Sequence, residues 1–124
     1  MIGENTNTAI LELRRNAERD VIIDVTDADG AAIPVAEWAG ATAVYRLTAY
    51  DATVAAISWT QADAEMTLDG ANSRVLLNFA PADTTALAVN EYRHEMRLTF
   101  VVPSAFVGTW DIFHDAVKVY PSLA

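Results

Sequence analysis

The chain has 124 residues, the size of one domain, and no cysteine, which excludes disulfides, thiolate metal sites and cysteine nucleophiles. Seventeen acidic residues face eight basic ones, a formal net charge of −9, so no basic stripe exists to displace counterions from phosphates; nucleic acid and anionic membranes are disfavoured as partners. With 52% hydrophobic and 20% charged residues the chain is expected to bury a sizeable core, and no apolar run reaches the ~20 residues of a membrane helix.

Residues 1–9 read as a polar arm without structure signals and without the basic and apolar parts of a targeting segment; a single domain is predicted over 10–124. Residues 19–26 (RDVIIDVT) are β-branched and bounded by polar residues, which predicts a strand. Asp27-Ala28-Asp29-Gly30 ends it in a tight turn, where Gly30 supplies a positive φ at no steric cost. Ile33-Pro34 continues as an irregular or edge segment, because proline cannot donate to a ladder. Trp38 lies in a loop flanked by proline and glycine and is expected to be exposed.

Gly40 breaks the chain before a strand over 41–49, with Ala41, Ala43, Tyr45 and Leu47 on one face and Thr42, Arg46 and Thr48 on the other. A strand over 54–60 places Ile57 and Trp59 on one side, and 65–68 forms a short one. Asp69-Gly70-Ala71-Asn72 is a turn, and 74–79 a strand with Val75, Leu77 and Phe79 inward. Residues 81–87 read as one helical turn, since proline suits a first helical position while Thr84 and Thr85 weaken propagation. Asn90 punctuates. Residues 91–101 then alternate Tyr92, His94, Met96, Leu98 and Phe100 against Arg93, Glu95, Arg97 and Thr99, the strongest strand signal in the chain. Residues 109–120 close it as one strand with a candidate break near His114-Asp115. Seven to nine short strands and no long amphipathic helix predict an antiparallel β-sandwich, with a closed barrel as the alternative.

Little in the sequence points to reaction chemistry. His94 sits on the apolar parity of its strand and reads as a hydrogen-bonded core histidine; no third ligand joins it and His114 in a metal site. Asp24, Asp27 and Asp29 before Gly30 lack the spacing and flanking helices of a calcium loop and read as turn chemistry. No nucleophile elbow, P-loop or dinucleotide fingerprint occurs, so no enzyme, metal or cofactor is expected.

The order of motifs resembles the immunoglobulin-like domain of bacteriophage tail and baseplate proteins, notably the N-terminal domain of phage baseplate upper proteins. The resemblance rests on Asp27-Ala28-Asp29-Gly30-Ala31-Ala32-Ile33-Pro34, Ala39-Gly40-Ala41-Thr42-Ala43-Val44-Tyr45, Arg74-Val75-Leu76-Leu77-Asn78-Phe79, Pro81-Ala82-Asp83-Thr84-Thr85-Ala86-Leu87, Asn90-Glu91-Tyr92 and the closing Val117-Lys118-Val119, over residues 10–120. It implies an immunoglobulin-like sandwich whose helical turn is capped by Asp83 or Thr84 and whose Tyr92 makes a tyrosine-corner hydrogen bond to the upstream turn. Asn90 replaces the family's glycine and is expected to take its left-handed conformation. Another family glycine, late in the last hairpin, falls near Asp115 here.

The resemblance further implies a virion structural protein assembled in the host cytoplasm. It would be an adaptor or decoration subunit of tail, baseplate or capsid, docking on other phage proteins and itself a trimer or higher ring. The family domain is usually fused to a larger fibre or receptor-binding region; a chain ending at Ala124 is expected to act by docking alone. Candidate contact residues are Trp38, Ile33 and Pro34, beside sheet edges and the N-terminal arm. The alternative is a carbohydrate- or host-surface-binding sandwich, with Trp38, Trp59 and Trp110 as a stacking platform.

Overall fold

The computed structural model describes residues 11–122. Eight strands occur among them: β1 (Leu11–Arg14), β2 (Arg19–Asp24), β3 (Thr42–Ala49), β4 (Ile57–Thr60), β5 (Met66–Asp69), β6 (Arg74–Phe79), β7 (Asn90–Phe100) and β8 (Gly108–Tyr120). A five-stranded sheet, β1-β8-β7-β3-β4, packs on a three-stranded sheet, β2-β6-β5. This is the strand order of an immunoglobulin-type sandwich, and it bears out the predicted fold class. The predicted arm, residues 1–9, lies outside the described residues.

The strands form where alternation is cleanest. In β3, β6 and β7 every second side chain is buried: Ala43, Tyr45 and Leu47; Val75, Leu77 and Phe79; Tyr92, His94, Met96, Leu98 and Phe100. These faces meet between the sheets. Phe79 of the smaller sheet packs against Trp59 at 4.9 Å and Tyr45 at 6.0 Å between ring centroids. Fully burying side chains of this size contributes roughly 1.5–3 kcal/mol each.

Four expectations need correction. The pairing is not antiparallel throughout: β1, whose Leu11 and Leu13 alternate with Glu12 and Arg14, runs parallel to β8. The strand expected over 54–60 is confined to Ile57–Thr60, and Val54 is left exposed in a loop. β8 is unbroken at His114-Asp115; its irregularity lies at Ile112. Met96 faces Phe113 and Arg97 faces Asp111, so Ile112 is an extra residue, and both Ile112 and Phe113 point into the core. Finally, Asn90 does not adopt a positive φ; it opens β7, and its Oδ1 accepts the Glu91 N–H at 2.8 Å. Among the described residues the left-handed non-glycine residues are Asn16 and Ser73.

The other turn residues take their expected places. Gly30 has φ +83° in a turn whose Asp27 carboxylate accepts the Asp29 and Ala31 N–H groups at 2.8 and 2.9 Å. Gly40 has φ +69°, and a Cβ there would meet Val101 at 3.0 Å. In α1 (Pro81–Thr85) it is Asp83 that caps, from the third helical position: its Oδ2 accepts the Ala80 N–H at 2.9 Å. Thr84 is fully buried and donates to Ala17 O at 2.9 Å, which ties α1 to the β1–β2 turn. Tyr92 donates to Ala88 O at 2.9 Å, the tyrosine corner.

Ser73 was not foreseen. It is buried at φ +51°, donates to Val25 O at 2.6 Å and accepts the Ile33 N–H at 2.8 Å. It therefore pins the Gly30 turn to the start of β6. Ser73→Ala is expected to lower stability by about 1–3 kcal/mol in urea unfolding, because Val25 C=O and Ile33 N–H each lose that partner. A Cβ on Gly70 would lie 2.8 Å from Cβ and Cγ of Trp38, atoms close to the backbone that cannot swing away. Gly70→Ala is expected to cost about 1–3 kcal/mol by overpacking, read from the same unfolding curves.

Candidate functional site

The pleat that buries Tyr45, Leu47, His94 and Met96 sends Arg46, Thr48, Arg93 and Glu95 to the outer face of the five-stranded sheet. There Arg46 lies directly across from Glu95, and Thr48 from Arg93. The segment 50–56, between β3 and β4, rises beside them as a wall. Backbone bonds hold it at both ends, Tyr50 N–H to Glu91 O at 3.3 Å and Ala56 N–H to Leu47 O at 2.8 Å. Between wall and sheet lies an open groove of about 980 Å³, the size of a small-ligand cleft. Arg46, Arg93, Glu95 and Asp115 are its charged lining residues, and Tyr50, Thr53 and Val54 come from the wall. A smaller hollow of about 90 Å³ continues along the face beside Val44 and Arg97.

The arginines of this face differ in one respect. Arg97 donates through Nε to Asp111 at 3.0 Å. Arg46 and Arg93 have neither a side-chain hydrogen bond nor an ion pair among the described residues. In a chain with twice as many acids as bases, two unpaired guanidinium groups across one groove stand out.

The sequence-predicted contact residues lie elsewhere, and two are not surface residues. Trp38 ends a 3-10 turn (Val35–Trp38) and is only 8% exposed, with its ring edge-on to Phe100 at 5.2 Å. The expectation that it is exposed fails because Gly70, which has no side chain, lets the indole pack beneath the Gly70–Asn72 turn. Ile33 is buried as well, with its N–H held by Ser73. Only Pro34 is exposed. A tryptophan platform is likewise absent among the described residues. Trp59 is buried in the core, and half-buried Trp110 donates its Nε1–H to Phe106 O at 2.8 Å.

Of the other exposed large apolar side chains, Ile22 stands in the middle of β2 on the outer face of the three-stranded sheet, and the remaining six gather at the two ends of the sandwich. Val35, Val101 and Val107 lie where β7 ends and β8 begins; Tyr50, Val54 and Val89 lie where β3 ends and β7 begins.

His94 is a core histidine, as read from its parity: its Nδ1 lies 2.9 Å from the Tyr45 hydroxyl. Burial pushes the Tyr45 hydroxyl far above its ordinary titration range, and burial also raises Tyr92. At the surface, hydrogen bonds from Asn72 and Arg74 hold the Asp69 carboxyl below its usual value. No protein-family model matches this chain, and no curated protein sequence does.

The two raised tyrosines set a pH dependence. Each is protonated in the folded protein at a pH where an unfolded tyrosine, near 10.0, ionises. Their contribution is present below that value and is lost as pH climbs above it, since the folded state then holds more protons than the unfolded one. Urea midpoints are therefore expected to fall steeply from pH 9 to 11, and Tyr45→Phe to flatten that fall.

Proposed function

We propose that this protein is a structural component of a bacteriophage particle, an immunoglobulin-like adaptor or decoration subunit that works by association with other virion proteins. The fold supplies a rigid scaffold with loops at two ends. The observation that carries the reading is the placement of exposed apolar side chains, Val35, Val101 and Val107 at one end and Tyr50, Val54 and Val89 at the other. Apolar residues left on loop ends are what a docking module presents, since burying them against a neighbour is favourable and non-directional.

The placement in a phage particle rests on the order of motifs shared with the tail and baseplate domain. Gly30, Gly40, Asp83 and Tyr92 fill the turn, cap and corner roles that this resemblance implies. The acidic surface suits a subunit that stays dispersed until a partner is present.

Mass spectrometry of purified particles from the phage or prophage that encodes the chain tests this. Peptides of the chain are expected at a copy number fixed relative to the other virion proteins. Mature particles that lack it would overturn the assignment.

A further inference from the structure

The groove on the outer face of the five-stranded sheet shares Tyr50 and Val54 with one docking end, but its charged floor is not accounted for by apolar docking. Its floor presents Arg46 and Arg93 on adjacent strands, diagonal neighbours in the register that pairs Arg46 with Glu95 and Thr48 with Arg93. Diagonal cross-strand neighbours stand ~7–8 Å apart at Cα, so both side chains reach one small anionic group. Guanidinium pairs recognise carboxylates by forked, charge-assisted hydrogen bonds. Among the described residues neither arginine spends its donors on a side-chain or backbone partner, in contrast to Arg97 on the same face.

The groove is not uniformly positive. Glu95 faces Arg46 directly and stands two residues from Arg93 on the same strand, and Asp115, the register partner of His94, also lines the cleft. A ligand with many negative charges would be repelled by Glu95 and by the net charge of −9. A ligand with one negative charge and several hydroxyl donors uses both signs. Thr48 and Thr53 add hydroxyl groups, and the exposed Tyr50 ring offers an apolar surface to a pyranose face.

We propose that this groove binds a saccharide bearing a carboxylate. Arg46 and Arg93 hold the carboxylate, Glu95 accepts from the sugar hydroxyls, and Tyr50 flanks the ring. This goes beyond the virion reading, and the two fail separately: particle composition decides one, sugar binding the other.

The test titrates the full-length, isotope-labelled protein with 3′-sialyllactose and with a glucuronate-terminated disaccharide, using lactose as the neutral control and hexaglutamate as the acidic peptide. Saturable amide shifts at 46–48, 50–55 and 93–95 are expected with at least one acidic sugar, with lactose at least about tenfold weaker. Arg93→Ala and Arg46→Ala are each expected to weaken that binding about tenfold or more with unfolding midpoints unchanged, because both side chains are exposed. Arg93→Lys should recover only part of the affinity, since an ammonium lacks the planar fork. The proposal is overturned if neither acidic sugar gives saturable shifts at tens of millimolar, if the shifts map outside the groove, if lactose binds equally well, or if the arginine variants bind like the parent. Binding of hexaglutamate alone would also overturn it and would assign the groove to a protein partner.

Discussion

The structure turns on Tyr45. Its ring is completely buried on the inner face of β3, with Trp59, Phe79, His94 and Phe113 around it at centroid distances of 5.6–6.2 Å. Phe79 comes from the opposite sheet, so this contact fixes how the two sheets meet. The phenol hydroxyl, which would be costly to bury alone, pairs with His94 Nδ1. Because side chains alternate along a strand, placing Tyr45 inward leaves Arg46 no choice but the outer face. Placing His94 inward does the same for Arg93 and Glu95. A one-residue slip of β3 or β7 would drive the arginines into the core, so the core specifies the register and the register builds the groove.

Around that core, loops are held by buried or half-buried hydroxyl groups that reach backbone atoms. Ser73 bonds Val25 and Ile33, Thr84 bonds Ala17, and Tyr92 bonds Ala88. Each joins a connecting segment to a strand or turn distant from its own side of the chain or to the corner before its strand. A short hydroxyl side chain does this well, since it satisfies a backbone group without bringing a charge indoors. The wall of the groove uses backbone pairing instead, at Tyr50 and Ala56. The result is a surface whose charged and apolar features are set on a stiff frame.

Much of the sandwich was legible in the sequence, because alternation reports burial directly wherever one face of a strand is buried. β3, β6 and β7 carry that signal, and so do the glycine turn at Gly30 and the helical turn opened by Pro81. Less legible was β1: four residues of alternation count for little until β8 is beside them to supply the parallel pairing. The extra residue at Ile112 was hidden as well. Two consecutive inward side chains, Ile112 and Phe113, look like a run of apolar residues until the partner strand shows which of them is unpaired. Asn90 misled for a related reason. Its side chain bonds the next N–H within an extended strand, an alternative to the left-handed turn that the residue type also allows.

Composition and period by themselves determined a single acidic, cysteine-free chain, an all-β sandwich and most of its inward-facing side chains, since these follow from local alternation and turn chemistry. Tertiary structure alone decided that Trp38 is core and not surface, because its burial depends on Gly70, 32 residues further along the chain, leaving room for an indole. Tertiary structure alone also brought Arg46 and Arg93 together across a groove. Each looked like an ordinary solvent-facing charge in its own strand. Their proximity comes from the pairing of β3 with β7, and pairing between segments distant in the chain is set by how two sheets bury their faces against each other.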